Sequence, residues 1–157
     1  MLGAPGEVRM PVESLFSGDG LRPLTLNSGE MIRFVHLSPL PERTGWGYHK
    51  SSVRGGLEFG MAVMALTLTL EADKKTCKSA RIAIGAVNEG PVYLHKTAGA
   101  MRGCKLDPET LPEIAAQASQ EVNPLPHHGF TKAYLRDNIR VYLRRTMETA
   151  LERAAMA

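Results

Sequence analysis

Two apolar runs near the middle of the chain constrain its fold more than any other feature. Residues 60–71 alternate leucine with threonine over their second half, and this period of two is typical of a strand with one buried face. A polar turn at residues 72–75 separates this run from a second one, residues 79–87. The spacing predicts that the two runs pair as an antiparallel hairpin.

Helical stretches follow the hairpin. Residues 92–94 are expected to add a short third strand, and a brief helical stretch comes next. Asp107 is predicted to cap a helix whose first residue is Pro108, because Asp and Pro favour these two positions. Thr131 is predicted to cap the last helix. Its apolar residues recur at helical spacing and are Leu135, Ile139, Tyr142, Leu143, Met147, Ala150, Leu151 and Ala154.

These elements predict an α+β fold, in which a small antiparallel sheet of about three strands is covered by helices. A loop-rich segment precedes it, and residues 31–37 have partial strand character there. Residues 39–47 hold two prolines and two glycines, which favours a linker. We therefore divide the chain into residues 1–41 and residues 42–157.

Composition excludes several classes of protein. With 157 residues and 43% hydrophobic content, the chain is expected to form one domain, or one domain with an appendage. The excess of 19 Lys and Arg over 16 Asp and Glu is too small to indicate a nucleic-acid or membrane partner by itself. The most apolar stretch, residues 61–70, is shorter than the roughly 20 residues that span a bilayer. No secretion signal is recognisable, so we expect a soluble cytoplasmic protein.

The cysteines and histidines do not follow the spacing of a metal site. Cys77 and Cys104 are interpreted as free thiols in a reducing compartment. His127 and His128 lie in a loop flanked by Pro and Gly, where a solvent-facing pair is the simplest interpretation. The motifs of phosphate-binding loops and of serine nucleophiles do not occur.

A basic stripe lies on the last helix, where Arg136, Arg140 and Arg144 follow one another at intervals of four. Three interpretations stay open for it. The stripe could bind nucleic-acid phosphates, it could contact an acidic partner subunit, or it could be a solvated face paired with nearby acids. We favour the solvated face, because no aromatic platform for bases accompanies the stripe. The nearby acids are Asp137, Glu148 and Glu152.

A second basic group lies just before the hairpin. Lys50 and Arg54 could hold a phosphate or the polar edge of a flavin. Taken alone, they indicate little about function.

Nine segments, taken in order, form a pattern that covers almost the whole chain. They are residues 12–18, 29–37, 48–50, 79–87, 90–92, 106–109, 123–126, 131–136 and 142–151. This succession resembles the C-terminal domain of flavin subunits of molybdenum hydroxylases, together with the end of the flavin-binding region before it. That family includes the medium subunit of carbon monoxide dehydrogenase and the flavin part of xanthine dehydrogenase.

The resemblance implies a role in an oxidoreductase complex. In the family, a molybdenum subunit oxidises the substrate, an iron–sulfur part passes electrons on, and FAD delivers them to an acceptor. Carried over to this chain, Ile32 would pack near the isoalloxazine and Lys50 would lie near its edge. Arg54 and Glu58 would form a structural pair. The molybdenum cofactor and the iron–sulfur clusters would belong to partner subunits.

One departure from the family qualifies this expectation. The Gly-rich loops that hold the FAD pyrophosphate have no counterpart in this sequence. We therefore expect a fragment, or a split subunit whose N-terminal FAD-binding chain is encoded separately, with only a partial FAD site. Such a chain should be inactive alone, bind FAD weakly, and associate with itself or with partners. The alternative is a non-catalytic assembly module, in which Ile32 and Lys50 are merely structural.

Overall fold

The computed structural model describes residues 6–157, and its centre is a single antiparallel sheet. The strands are β1 (Thr44–Ser51), β2 (Ala62–Leu70), β3 (Cys77–Gly85) and β4 (Val92–Tyr93), hydrogen-bonded to one another in chain order. The helices are α1 (His95–Met101), α2 (Thr110–Glu121) and α3 (Lys132–Met156), and a short 3-10 helix spans Val12–Leu15. The predicted α+β class is confirmed, with four strands where about three were expected.

The predicted hairpin is confirmed as β2 and β3. Their register runs from Val63 opposite Gly85 to Leu70 opposite Cys77, with one irregularity near the turn. The even-numbered residues of β2 are buried and the odd-numbered ones are more exposed, as the period of two requires. The buried face packs against α3 and α1, and α2 packs on these two helices in the same core. Its largest fully buried side chains include Met64, Leu68, Leu70, Ile82, Ile84, Leu94, Met101, Ile139, Leu143 and Met147.

The first strand, β1, was not predicted from the sequence. It starts at Thr44, so the prediction of a linker as far as residue 47 is wrong. Gly45 and Gly47 belong to this strand because α3 lies directly against them. A Cβ atom at Gly45 would collide with the backbone of Ala150, and one at Gly47 would collide with the backbone of Thr146.

The helix starts agree with the sequence in one case and differ in the other. The Thr131 hydroxyl accepts a hydrogen bond from the Tyr134 N–H at 3.2 Å, so the predicted cap of α3 is confirmed. Helix α2 begins at Thr110, two residues later than predicted. The Asp107 carboxylate accepts from the N–H groups of Glu109 and Thr110 at 3.0 and 2.8 Å. It therefore caps a turn that leads into the helix.

The helices in the described part of the chain are not of the transmembrane type. Although α3 has 25 residues, no helix within residues 6–157 combines the length and the apolar character needed to cross a bilayer.

The expectation of strands before β1 is wrong for the described residues. Between residues 6 and 41, the regular features are the 3-10 helix and one isolated bridge between Phe16 and Leu24. Residues 31–37 form no ladder, because a strand needs a hydrogen-bonded neighbour and no segment in the described part of the chain pairs with them. Several of their apolar side chains are exposed, namely Met31, Ile32, Phe34, Val35 and Leu37. The domain boundary between residues 41 and 42 stays a prediction.

We expect Gly45→Ala to destabilise the fold by about 3 kcal/mol, because the new methyl group would displace the backbone of α3. Denaturant unfolding measures this loss. Gly99→Ala is the matched control, since its Cβ would meet no atom within 4 Å and the change should stabilise α1 by about 0.5–1 kcal/mol. An unchanged unfolding midpoint for Gly45→Ala would contradict the proposed packing.

Candidate functional site

The candidate site lies where β1 ends. Side chains alternate across a strand, so His49 faces α3 while Lys50 faces the opposite side of the sheet. The His49 ring stacks on Tyr142 with 4.2 Å between the ring centroids. Burial, and secondarily the charge of Arg145, lowers the pKa of His49. This stacking holds the end of β1 against α3 and thereby fixes the backbone that carries Lys50 on the opposite side of the sheet.

Lys50 is tied to the loop between β1 and β2, residues 52–61. Its ammonium group donates a hydrogen bond to the backbone carbonyl of Glu58. An ammonium carries three N–H donors, so this bond leaves donors for another acceptor. Lys50 therefore fixes the loop and still presents a positive charge at the end of the sheet.

The same loop is closed by Arg54 and Glu58. The Glu58 carboxylate accepts from the Arg54 Nε at 3.1 Å and from the Arg54 backbone N–H at 2.5 Å. These bonds, the backbone one foremost, lower the pKa of Glu58. The Glu58 side chain is only 11% exposed, whereas Arg54 is 77% exposed. The predicted Arg54–Glu58 pair is confirmed.

The loop presents apolar side chains to solvent. Leu57 is fully exposed, Phe59 is 86% exposed and Val53 is 58% exposed. Within β1, Trp46 and Tyr48 alternate onto the same face as Lys50, and they are about half exposed. The ion pair between Arg54 and Glu58 closes the loop and keeps its side chains, Val53, Leu57 and Phe59, in a defined position.

A second loop reaches this end of the sheet through His127. One ring nitrogen lies 2.8 Å from the carbonyl oxygen of Leu125, and the other lies 3.0 Å from that of Met61. Met61 in turn donates its N–H to the Ser51 carbonyl at 2.7 Å. The interpretation of His127 as a solvent-facing loop residue is therefore wrong. No sequence signal pointed to this contact, because His127 and Met61 are 66 positions apart.

The sheet end also contains an unused polar group. The Ser51 side chain is buried, and its hydroxyl has no hydrogen-bond partner within residues 6–157. Asn138 on α3 likewise has a buried side-chain oxygen without a hydrogen-bond partner among the described residues. Buried polar groups are normally paired, but Ser51 shares the α3-facing side of β1 with His49, so its hydroxyl lies on the side of the sheet opposite to Lys50.

Ile32 occupies a different kind of position. It lies in the irregular segment before β1 and is 49% exposed. Its proximity to Lys50, and to a flavin, stays a prediction.

The basic stripe of α3 is largely paired along its own helix. Arg140 contacts Asp137 at 3.2 Å, and Arg144 contacts Glu148 at 3.2 Å. Arg136 donates to the Val122 carbonyl at 3.5 Å. These contacts favour the interpretation of a solvated face over that of a row of unpaired cations that binds nucleic-acid phosphates.

Comparison with known proteins defines the family. The family described as "CO dehydrogenase flavoprotein C-terminal domain" matches residues 47–150. The glyceraldehyde dehydrogenase medium chain of Sulfolobus acidocaldarius is 25% identical over 118 residues, which cover 73% of this chain and 40% of that protein.

Solved structures agree with this match. Reconstituted CO dehydrogenase from Oligotropha carboxidovorans superposes with a TM-score of 0.65 at 27% identity, over 73% of this chain and 39% of that chain. Quinoline 2-oxidoreductase from Pseudomonas putida 86 shares the fold, with a TM-score of 0.65 at 20% identity, over 71% of this chain and 38% of that chain.

The chain spans about 40% of the length of the curated relative and slightly less of the two structures. The resemblance inferred from the sequence is confirmed, since the matched region covers more than half of the 157 residues. The protein belongs to the CO dehydrogenase flavoprotein C-terminal domain family.

Proposed function

We propose that this chain is part of the FAD-binding subunit of a molybdenum-hydroxylase-type oxidoreductase complex. In this role it lies against the flavin and helps to assemble subunits that pass electrons from iron–sulfur clusters to an acceptor. The observation that supports this most directly is the preorganised end of the sheet, where Lys50 and the closed loop lie within the region that matches the flavoprotein family.

The residues at this end of the sheet suit the isoalloxazine ring of FAD. Leu57 and Phe59 offer exposed apolar surface for the flat isoalloxazine ring. Lys50 offers a cation with donors to spare. When bound, FAD would supply the electron-accepting chemistry, and the charge of Lys50 would favour its anionic reduced form. Ile32 is proposed to pack near the same ring.

The pyrophosphate of FAD has no such partner in this chain. A phosphate site is commonly built from a Gly-rich turn that exposes several backbone N–H groups, and the sequence contains no such motif. A partial site of this kind needs a second chain, or a further region, that binds the phosphates. We therefore propose an N-terminal FAD-binding chain, together with molybdenum and iron–sulfur subunits, as partners.

An assembly role without flavin contact is the second candidate. Residues 6–41 support it, because they expose many large apolar side chains without forming strands. Exposed apolar patches of this kind mark interaction surfaces. The exposed residues are Val8, Met10, Val12, Phe16, Leu21, Leu24, Met31, Ile32, Phe34, Val35, Leu37 and Leu40.

We expect the isolated chain to bind FAD no more tightly than about 10 µM, because the phosphates contribute much of the affinity for such a cofactor. In the assembled complex, Lys50→Ala should slow flavin reduction or reoxidation at least several-fold, since the reduced anion loses its nearby cation. Fluorescence titration measures binding, and stopped-flow absorbance measures the flavin rates.

Lys78→Ala is the control for this experiment, because Lys78 is an exposed residue of β3 at the other end of the sheet. Submicromolar FAD binding by the isolated chain would contradict the partial site. Unchanged flavin rates for Lys50→Ala in the complex would favour the assembly role.

Loop closure should depend on pH through Glu58. The lowered pKa of this group in the folded chain means that its bonds are fully present above pH 4.5, the ordinary glutamate value. They are lost as pH falls through the lowered value. The amide proton of Arg54, followed by NMR, should therefore titrate with a midpoint below 4.5. Glu58→Gln should abolish this titration, and a wild-type midpoint at or above 4.5 would rule out the carboxylate as the loop closure.

Without partners, the exposed segment should cause self-association. Sedimentation velocity should show a mean mass that rises with concentration, because apolar side chains between residues 6 and 41 bury one another. Phe34→Asp should reduce this association, whereas Val141→Asp, on the exposed side of α3, should not. A single monomeric species at all concentrations would argue against the interaction surface.

A further inference from the structure

The two cysteines of the sequence, Cys77 and Cys104, meet at the far end of the sheet. The Cys77 N–H donates to the Cys104 carbonyl at 2.9 Å, and the Cys77 carbonyl accepts from Gly103 at 2.8 Å. An isolated antiparallel bridge joins their neighbours, Thr76 and Lys105. Residues that face each other across antiparallel segments have Cα atoms about 4.5–5.5 Å apart, within the roughly 4.4–6.8 Å that a disulfide spans.

The two thiols differ in accessibility. Cys77 is buried at the start of β3, whereas Cys104 is exposed. The Cys104 thiol donates to the Ala100 carbonyl at 3.1 Å, at the end of α1. Burial, and secondarily the Cys104 thiol, raises the pKa of Cys77 to about 11. An oxidant from solvent therefore reacts first with the Cys104 thiol, and the Cys77 thiol reacts second.

We propose that Cys77 and Cys104 form a reversible modification site, which closes to an intramolecular disulfide when a peroxide oxidises Cys104. The Cys104 thiolate attacks one peroxide oxygen, the O–O bond breaks, and hydroxide leaves as the sulfenic acid forms. The Cys77 sulfur then attacks the Cys104 sulfur. The S–S bond forms, the S–O bond breaks, and water leaves with the Cys77 proton. In total, two thiols are oxidised and one hydrogen peroxide is reduced to two waters.

The disulfide would close a loop that contains β3, β4 and α1. It would tie the connection between α1 and α2 to the start of β3. Lys50 lies at the opposite end of the sheet, because it pairs with Val63 while Cys77 pairs with Leu70. The site therefore acts separately from the proposed flavin contact, and its test does not depend on that contact.

The experiment exposes the purified full chain to hydrogen peroxide, then unfolds and alkylates it for intact mass and peptide mapping. We expect the wild-type chain to lose both alkylatable thiols and to become lighter by two hydrogen atoms, with full reversal by dithiothreitol. Its thermal midpoint should rise by about 5–10 °C, because the cross-link restricts the unfolded chain. Cys104→Ser changes an exposed side chain and should leave Cys77 alkylatable after the same treatment.

Cys77→Ala is the second variant, and its Cys104 should proceed to sulfinic acid, because no partner thiol intercepts the sulfenic acid. Three wild-type results would overturn the proposal. The first is Cys104 oxidised to sulfinic acid while Cys77 stays alkylatable. The second is a disulfide between the Cys104 residues of two chains. The third is two free thiols after peroxide has oxidised the exposed methionines.

Discussion

The close approach of α3 to β1 is the contact on which the rest of this structure depends. Two glycines, Gly45 and Gly47, let the backbone of the helix lie directly against the strand. Farther along α3, Arg153 donates to the Trp46 carbonyl at 2.8 Å and lies 3.7 Å from the centre of its ring. These contacts hold β1 at the edge of the sheet. Because Arg153 donates to the Trp46 carbonyl, this carbonyl is not free to accept a hydrogen bond from another strand at that edge.

The position of β1 determines what the end of the sheet can do. Because its residues alternate between the two faces, the stacking of His49 on Tyr142 turns Lys50 outward. Lys50 then reaches the loop that Arg54 and Glu58 close. The helix-packing contact of His49 and the proposed flavin contact of Lys50 thus belong to neighbouring residues of one strand, so a change in the packing would also move the charge.

The sheet separates two chemically different regions. One end holds Lys50 and the closed loop, and the other holds Cys77 beside Cys104. Their pairing partners, Val63 and Leu70, are seven positions apart along β2, which at about 3.3 Å per residue separates them by roughly 23 Å. Oxidation at one end can therefore stabilise the fold without altering the residues at the other end.

Local patterns in the sequence determined the hairpin, the apolar side of α3 and its Thr131 cap, because each depends on residues within a few positions of one another. The family resemblance also pointed to Lys50 and to the Arg54–Glu58 pair. Strand β1, by contrast, has the sequence pattern of a Gly-rich linker and becomes a strand because α3 packs against it. Residues 31–37 have the pattern of a strand, although none of the described segments pairs with them. The contacts of His127 with Met61 and of Cys77 with Cys104 join positions far apart in the chain. Only the tertiary structure decided these features, because the partner that stabilises each one is brought near by the fold and not by the local sequence.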